Sequence, residues 1–520
     1  MADRDRAAGV MAKKRPSLTV GVLLLLFGAS AFCAHNERYR PQFHFSPRTN
    51  WTNDPCGLVY AFGKYHLFFQ HNPFANRWGH MSWGHAVSTD LVHWSQLPVA
   101  IPEGKKVAIF TGSSVFDRKN TSGLCKSKQG CIVSIYTGET PKTAGTPERQ
   151  TQNLAVSQDG RTWTKYADNP VLDLGRGDSR DPKVFWYAPA KRWIMVIVLA
   201  NERKVSIFSS PNLKHWHHES DFGPQGATRG VWECPDLYSL PVPGHTGETR
   251  WILKVGLNPA RVPGGSGEQY FIGRFDGTHF RNDNPSGDIH WLDYGRDSYC
   301  ELTFNNEPKG QTPRMIGWMD NWDYAGVAPT LPWRGAMTLP KALSLAEVNG
   351  SLALVQKPVE QLRSLRGDAF EYEGANEADL NRKVAAWPHR SQSFELDATI
   401  RLGAAKQIVW RLLQGKNDET LVGYDALKQE LFVDRSHCAN AHFSKAFPSR
   451  TTAPLKIGNG RLRLHIFVDR SSIEVFAQGG RIAMTNLTFP TPSSTGLSLD
   501  SSDEIGSIHL KISKLRSIWK

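Results

Sequence analysis

The sequence predicts an all-β protein in which a five-bladed β-propeller is followed by a C-terminal β-sandwich. The first observation is a short turn motif that recurs through the first 280 residues, where no segment has the pattern of a long amphipathic helix. The second is composition, because 45 glycines, 31 prolines and 17 tryptophans in 520 residues are typical of many turns and aromatic-lined surfaces. The third is length, which is sufficient for two domains.

In the recurring turn motif, an Asp or Asn that favours a turn is followed four residues later by an aromatic residue. The four copies begin at Asp90, Asp159, Asn212 and Asp276. An Asx turn with an aromatic anchor is a suitable corner for a β-hairpin. The copies begin 69, 53 and 64 residues apart, and a four-stranded unit of that size is what a β-propeller requires. A large sandwich that reuses one hairpin corner is the alternative.

Changes in composition mark the domain boundaries. We expect the catalytic propeller to occupy residues 36–348, a length that holds about five such blades. Residues 350–390 are rich in Gln, Arg and Glu and are compatible with one short helix, and residues 349–370 are predicted to be a linker. Residues 371–520 are predicted to form the sandwich, because strand alternation with a period of two returns after residue 394.

The first 31 residues have the pattern of a secretory signal peptide. A basic run at 13–15 precedes a mostly apolar stretch at 18–27 that is too short to span a bilayer, and the small residues at 29–31 offer a cleavage site. An uncleaved anchor is the alternative. We therefore expect a secreted, extracellular protein, or a periplasmic one in a bacterial host, with no further membrane contact. After export, Cys125 and Cys131 can form a disulfide across the polar loop between them.

Charge and motif content exclude several functions. The net charge is +13, but no dense basic run or nucleic-acid motif accompanies it, so we expect a solvated basic surface and no nucleic-acid partner. The seven cysteines form no metal-binding pattern, and Cys56 and Cys234 are expected to be small buried side chains. There is also no glycine-rich phosphate loop and no serine nucleophile elbow. We therefore expect chemistry without a metal ion or a cofactor. The oligomeric state stays unknown.

Three short acidic motifs carry the candidate chemistry. They are Trp51-Thr52-Asn53-Asp54-Pro55, Arg180-Asp181-Pro182 and Trp232-Glu233-Cys234-Pro235. Glycoside hydrolysis needs two carboxyl groups, one that attacks or assists and one that protonates the leaving oxygen. We expect Asp54 to be the ionised carboxylate and Glu233 the general acid, because contact with the indole of Trp232 would raise the pKa of Glu233. Taken singly, each motif is also explained as a turn or an ion pair.

Further polar and aromatic residues are candidates for a sugar-binding pocket. Arg180 and Asp181 can donate and accept hydrogen bonds with neighbouring sugar hydroxyls, and the amide of Asn53 can bind another. The remaining candidates are Gln70, Trp78, Ser113 and Trp318. Taken singly, each of these four is better explained as a structural residue.

The motifs together resemble those of glycoside hydrolase family 32, the β-fructofuranosidases, which include invertases, levanases and exo-inulinases. The similarity covers nearly all of the chain after the signal peptide. The segments that carry it are WTNDPCG at 51–57 (WMNDPNG in the family), FTGSS at 110–114, RDP at 180–182, ECP at 233–235, GWMDNW at 317–322, PWR at 332–334 and FVDRSSIEVF at 467–476. Three residues depart from the family pattern without removing a catalytic group: Thr52, Cys56 and Thr111.

The resemblance implies roles for individual residues. By position, Asp54 would be the nucleophile, Glu233 the acid/base and Asp181 the stabiliser of the transition state. The residues that would line the fructose subsite are Asn53, Gln70, Trp78, Phe110, Ser113 and Arg180. The resemblance also implies the five-bladed propeller with its appended sandwich.

We therefore predict a secreted retaining exo-β-fructosidase that removes terminal β-D-fructofuranosyl units from sucrose or from a fructan such as inulin or levan. Two alternatives keep the same fold: a fructosyltransferase, in which a sugar replaces water as acceptor, and an endo-fructanase, which needs an open cleft. A non-catalytic sugar-binding propeller is the alternative outside the enzymes. The presence of Asp54, Asp181 and Glu233 disfavours it, because binding alone does not require an acid and a nucleophile. The sequence does not rank sucrose, inulin and levan.

Overall fold

The computed structural model describes residues 35–145, 147–260, 264–284, 287, 289–348 and 350–519. The predicted signal peptide, residues 1–31, lies outside them. Five sheets are followed along the chain by two further sheets, which confirms the predicted propeller and sandwich. In this part of the chain, no helix is long and apolar enough to cross a membrane.

The first three blades are antiparallel sheets in which the first strand lies innermost. Blade 1 contains β1 (Asn50–Ala61), β2 (Lys64–Asn72), β3 (Ser82–Ser88) and β4 (Ser95–Ile101). Blade 2 contains β5 (Ala108–Phe116), β6 (Ile132–Thr140), β7 (Arg149–Ser157) and the short strands β8 (Thr164–Lys165) and β9 (Leu172–Asp173). Blade 3 contains β10 (Ser179–Tyr187), β11 (Arg192–Leu199), β12 (Lys204–Ser210) and β13 (His217–Phe222).

The last two blades close the propeller. Blade 4 contains β14 (Val231–Pro241), β15 (Thr249–Asn258), β16 (Gly267–Phe275), β17 (Phe280–Asn282) and β18 (His290–Trp291). The next strands are β19 (Tyr299–Thr303), β20 (Arg314–Met319), β21 (Trp333–Arg334), β22 (Ala336–Met337), β23 (Lys341–Val348) and β24 (Ser351–Pro358). All of these belong to blade 5 except β21, which pairs in parallel with β1. The inner strands β1, β5, β10, β14 and β19 contact one another in sequence, and β19 contacts β1, so the ring is closed.

The recurring turn motif lies where the sequence predicts a hairpin corner. In blades 1 to 4, each copy connects the third strand to the fourth. The Oδ1 atom of Asp90 accepts hydrogen bonds from the backbone N–H groups of Val92 (3.0 Å) and His93 (2.8 Å), as expected of an Asx turn. Blade 5 has no copy, because β23 ends at Val348 and β24 begins at Ser351, which leaves no room for a five-residue turn.

The sandwich contains eleven strands and the one α-helix of the described chain. The strands are β25 (Arg366–Gly374), β26 (Phe394–Arg401), β27 (Gln407–Gln414), β28 (Thr420–Asp425), β29 (Glu430–Asp434), β30 (Arg450–Pro454), β31 (Arg461–Asp469), β32 (Ser472–Ala477), β33 (Ile482–Leu487), β34 (Gly496–Ser501) and β35 (Ser507–Leu515). One sheet contains β25, β26, β31, β32, β33 and β35, and the other contains β27 to β30 and β34. The helix, α1 (Glu377–Ala386), lies against β34 and begins where the side chain of Asn376 accepts the N–H of Asp379 at 2.9 Å.

Short 3₁₀ helices complete the secondary structure of the described residues. They are Ala188–Ala190, Ala200–Glu202, Ala325–Val327, Glu360–Leu365, Ala441–Phe443 and Gly458–Gly460.

Residues 349–370, predicted as a linker, contain strands of both domains. β24 pairs with β23 from Ser351 to Pro358, so blade 5 extends beyond the predicted boundary at residue 348. β25 begins at Arg366 and already pairs with β35. β24 is the edge strand of its blade and is followed closely by residues 360–366, whose Glu, Gln and Arg content we read as a linker. The short helix allowed by the composition of residues 350–390 is α1.

Buried charged groups connect the propeller segment to the sandwich. The imidazole of His44, which precedes β1, lies 2.8 Å from the carboxylate of Asp469 and 2.8 Å from that of Glu474. Arg435 of the sandwich forms an ion pair with Asp297, which precedes β19. All five side chains are fully buried or nearly so, and these contacts fix the sandwich against the outside of the propeller.

Candidate active site

Each of the five inner strands is interrupted by a register shift near its beginning. The shifts lie at 52–55 in β1, 109–112 in β5, 180–183 in β10, 233–236 in β14 and 299–302 in β19. Irregularities of this kind redirect side chains out of the sheet. As a result, one residue from each blade reaches the axis of the ring, where these five contact one another: Asp54, Thr111, Asp181, Cys234 and Cys300.

Asp54 contacts two of these residues, Thr111 and Cys234. Its Oδ2 atom accepts a hydrogen bond from the hydroxyl of Thr111 at 2.7 Å, whereas Oδ1 is buried and has no hydrogen-bond partner among the described residues. Burial raises the pKa of Asp54 to about 6; the hydrogen bond from Thr111 opposes this rise and the charge of Glu233 adds to it. The free oxygen is what a carboxylate nucleophile needs, and with a pKa of about 6 most of the group is still ionised at neutral pH.

Asp181 lies in the bulge of β10 with a φ of 63°, a left-handed conformation that Asp tolerates. Its Oδ2 accepts the backbone N–H of Cys234 at 2.9 Å, and its own N–H donates to the hydroxyl of Thr137 at 3.0 Å. Burial raises the pKa of Asp181 to about 7, against the opposing charge of Arg180, whose Nε lies 3.9 Å from Oδ2. A carboxylate held by backbone groups in this way is suited to accept hydrogen bonds from sugar hydroxyls.

Glu233 is held by two donors. Arg180 Nη2 donates to Oε1 at 3.0 Å, and the hydroxyl of Tyr299 donates to Oε2 at 2.5 Å. Burial, followed by the charge of Glu233, raises the pKa of Tyr299 well above its ordinary value, so the phenol keeps its proton and stays a donor. Both contacts orient the carboxyl group towards the pocket.

The predicted contact between Trp232 and Glu233 is wrong. Adjacent side chains in a strand point to opposite faces, and β14 still pairs regularly with β15 at these two positions. Trp232 is fully buried among apolar residues between blades 3 and 4, and its indole N–H donates to the carbonyl of Ala227 at 3.0 Å. The environment of Glu233 is therefore set by Arg180 and Tyr299, not by an indole.

The three carboxylates open into one pocket of about 450 Å³ at the axis of the propeller. Residues from all five blades and their connecting loops line it: Asn53, Asp54, Gln70, Trp78, Phe110, Thr111, Glu139, Glu148, Gln150, Arg180, Asp181, Glu233, Asn258 and Trp322. Five of the non-catalytic residues predicted for the sugar site are among them: Asn53, Gln70, Trp78, Phe110 and Arg180.

Two predicted pocket residues lie elsewhere. Ser113 is buried, and its hydroxyl oxygen accepts the N–H of Val184 at 2.8 Å, so it connects blade 2 to blade 3. Trp318 is fully buried and packs against both Trp51 and Trp322, with ring centroids 6.1 and 4.8 Å away. Of these rings only that of Trp322 lines the pocket, so Trp318 supports the wall from behind.

Seven residues of the site were not predicted. Thr111 belongs to the FTGSS motif at 110–114, in which the resemblance implies a role only for its neighbours Phe110 and Ser113. Tyr299 contacts Glu233 across 66 positions of sequence, and no local pattern signals such a contact. The other five are Glu139, Glu148, Gln150, Asn258 and Trp322.

The cysteines near the site are in two states. Cys234 forms a disulfide with Cys300, which connects the bulges of blades 4 and 5, so its interpretation as a simple buried side chain is incomplete. Cys56 is buried and free, and the disulfide that the sequence allows between Cys125 and Cys131 is present. Asp54 and the sulfurs of Cys234 and Cys300 lie within 4.8 Å of one another. Because the two sulfurs are bonded to each other, they offer no thiolate to a metal ion.

Comparison with known proteins agrees with this geometry. The profile of the Glycosyl hydrolases family 32 N-terminal domain matches residues 44–358, and that of the family 32 C-terminal domain matches residues 359–517. The chain belongs to glycosyl hydrolase family 32. The boundary between the two matched regions falls at the end of β24.

Several known proteins are similar over nearly the whole chain. A levanase of Bacillus subtilis (strain 168) is 43% identical over 511 residues, which cover 96% of this chain and 74% of the levanase. An extracellular exo-inulinase of Aspergillus awamori is 37% identical, covering 96% of this chain and 98% of that protein. The crystal structure of exo-inulinase from Aspergillus awamori superimposes with a TM-score of 0.86, at 36% identity, over 93% of this chain and 100% of that chain.

Proposed function

We propose that the protein is a secreted, retaining exo-β-fructosidase that hydrolyses terminal β-D-fructofuranosyl units of sucrose or of fructans. The observation that carries this proposal is the convergence of Asp54, Asp181 and Glu233 in one axial pocket. The similarity to a levanase and to an extracellular exo-inulinase supports the substrate class and an extracellular location.

In the first step, Asp54 attacks the anomeric carbon of the bound fructosyl unit. Its Oδ1 is the reacting atom, because Oδ2 is engaged by the hydroxyl of Thr111. The carbon–oxygen bond to the leaving group breaks as the ester to Asp54 forms, and Glu233 gives its proton to the leaving oxygen. Arg180 and Tyr299 hold Glu233 in place for this transfer.

In the second step, Glu233 acts as a base. It takes a proton from a water molecule, whose oxygen attacks the same anomeric carbon and releases Asp54 as a carboxylate. Two displacements at one carbon give net retention of configuration. Asp181 accepts hydrogen bonds from fructosyl hydroxyls, and its fixed position stabilises the charge that develops on the sugar ring.

The shape of the site favours release of single units over internal cleavage. The pocket lies at the axis of a closed ring, and residues of every blade or its loops contribute to the walls. Such a pocket admits a chain end, whereas an endo-acting enzyme needs a cleft that is open on two sides. A sugar-binding protein without activity has no need for the free Oδ1 of a buried carboxylate, which is costly to keep unpaired.

The test is sugar release by purified protein from sucrose, inulin and levan, with products resolved over time. We expect fructose alone from the polymers, first as the β-anomer by NMR, and no release by Asp54→Ala. Asp503→Ala, which removes an exposed carboxylate from the sandwich, is the matched control and should keep wild-type rates. Longer oligosaccharides would indicate endo cleavage or transfer, and α-fructose as first product would exclude retention. No release from any of the three would contradict the proposal.

A further inference from the structure

We propose that an apolar lip beside the pocket binds fructosyl units that lie beyond the scissile bond, and so favours fructan chains over sucrose. The lip is the set of four residues Phe74, Trp78, Val327 and Leu331. The proposal rests on the proposed exo-β-fructosidase function, and it adds a binding surface outside the pocket to that function.

The lip concentrates the exposed apolar surface of the molecule. In the described part of the chain, five large apolar side chains are more than half exposed, and four of them are the lip residues. Phe74 is 71% exposed and Leu331 is 69% exposed. The fifth, Leu427, lies in the turn between β28 and β29 of the sandwich. Clustered apolar side chains on a soluble protein mark a binding surface, whereas single ones need no explanation.

The lip comes from two segments of the chain, residues 74–78 and 327–331, and Asn50 connects the backbone beside one to the backbone beside the other. Its backbone N–H donates to the carbonyl of Pro332 at 2.7 Å, and its side-chain amide donates to the carbonyl of Pro73 at 2.7 Å. Pro73 precedes Phe74 and Pro332 follows Leu331. The two most exposed side chains of the lip therefore extend from neighbouring points of the backbone.

Further hydrogen bonds fix the lip before any ligand is present. The side chain of Asn72 accepts the N–H of Phe74 at 2.9 Å. The side chain of Asn76 donates to the carbonyl of Thr330 at 3.2 Å, and Arg334 donates back to the carbonyl of Asn76 at 3.1 Å. A preformed surface loses little conformational entropy when a ligand binds, so exposed apolar groups held in this way contribute efficiently to affinity.

The lip is continuous with the pocket on both of its segments. Trp78 belongs to both, and its ring lies edge-on to that of Phe110, another pocket residue, with centroids 6.2 Å apart. On the second segment, Trp322 lines the pocket and precedes Val327 and Leu331 in the same connection between β20 and β21. A chain whose end unit occupies the pocket therefore passes the lip as it leaves.

The position of the lip defines which unit it contacts. Phe74, Val327 and Leu331 do not line the pocket, so we expect them to contact units that follow the first leaving unit. Furanose rings carry C–H groups on their faces, and these groups pack against aromatic and aliphatic side chains. Sucrose has only one unit beyond the scissile bond and does not extend this far. The lip therefore acts on trisaccharides and longer chains.

The test compares wild type with the double variant Phe74→Ser/Leu331→Ser on sucrose, a fructan trisaccharide, inulin and levan. We expect kcat/KM for the polymers to fall about tenfold, mainly through KM, and kcat/KM for sucrose to change by less than about twofold. The loss of kcat/KM for the trisaccharide should lie between the losses for sucrose and for the polymers. Leu427→Ser, which removes an equally exposed apolar side chain from the sandwich, should leave all four values unchanged.

Several outcomes would overturn the proposal that the lip binds fructosyl units. An equal loss on sucrose and polymers would mean that the variant disturbs the pocket, and no loss on any substrate would mean that the lip binds no sugar. A change in sedimentation with unchanged polymer kinetics would identify the lip as a contact between copies of the chain. The proposed function is judged separately, by whether wild type releases fructose from at least one of sucrose, inulin and levan. Unfolding midpoints of all variants show whether the fold is intact.

Discussion

Two buried aspartates of this chain have opposite environments. Asp469, at the junction of propeller and sandwich, accepts hydrogen bonds from five different residues: Gln42, Phe43, His44, Ser393 and Arg470. The Oδ1 of Asp54, at the propeller axis, accepts none among the described residues, and burial raises the pKa of that carboxyl to about 6. Asp469 therefore stabilises the fold, whereas burying the unpaired carboxylate of Asp54 lowers the free energy of unfolding.

The cation beside Asp469 reinforces this difference. Burial alone would lower the pKa of His44, but hydrogen bonds to Asp469 and Glu474 raise it to about 9, so the imidazole is charged at neutral pH. Among the described residues no cation forms an ion pair with Asp54, whose side chain contacts the hydroxyl of Thr111 at 2.7 Å and the sulfur of Cys234 at 3.7 Å. Reactivity and stability are thus assigned to different places, the propeller axis and the junction with the sandwich.

The same substitution at both aspartates should give opposite results, and the largest expected effect is on activity. Asp54→Asn removes the attacking oxygen, and we expect kcat to fall by about 10,000-fold. Asp469→Asn should keep kcat within about twofold, since it lies outside the pocket. Initial rates on sucrose at a fixed concentration of folded protein measure both. Comparable losses in the two variants would contradict the division of roles.

The next effect is on the free energy of unfolding. Asp469→Asn removes the negative charge that pairs with His44 and one of the oxygens that accept backbone N–H groups. We expect the free energy of unfolding to fall by about 3 kcal/mol. Urea unfolding at pH 7 measures it. Asp503→Asn, on the exposed surface of the same domain, is the control and should be neutral within about 0.5 kcal/mol.

Asp54→Asn should instead stabilise the protein, in a pH-dependent way. The pKa of Asp54 rises from its ordinary 3.8 to about 6 on folding, so the folded state binds the proton more tightly than the unfolded state. The contribution of Asp54 to the free energy of unfolding is therefore fully present below pH 3.8 and is lost as the pH rises through 6. The variant removes this loss, and we expect a gain of up to about 3 kcal/mol at pH 8 that vanishes near pH 4. Urea unfolding at pH 4, 6 and 8 measures it; a gain that is equal at all three would show another cause.

Much of the fold could be predicted because its signals are local. The Asx turn at Asp90 is made by atoms within three residues, and its recurrence in four blades therefore appears directly in the sequence. Blade 5 lacks that turn, and its edge strand β24 is followed closely by the Glu-, Gln- and Arg-containing residues 360–366, so the boundary at residue 348 was placed too early for this strand.

The site was predictable only in part, for a different physical reason. Asp54, Asp181 and Glu233 stand in distinctive motifs, but their partners come from other blades, as Thr111 does for Asp54 and Tyr299 does for Glu233. The expected role of Trp232 was wrong because sequence neighbours on a strand face opposite sides. A pocket at the axis of five blades is built from contacts between distant segments, and local patterns do not contain them.

The parallel pairing of β21 with β1 has a consequence for synthesis of the protein. Asn50 and Trp51, at the start of the strand that carries Asp54, pair with Trp333 and Arg334. The nucleophile therefore leaves the ribosome well before β21, the strand that completes its sheet and one of the last of the propeller. A nascent chain that already contains Asp54, Asp181 and Glu233 still has an open ring. Such a chain has all of its catalytic groups but no pocket, and hydrolysis must await the completed propeller.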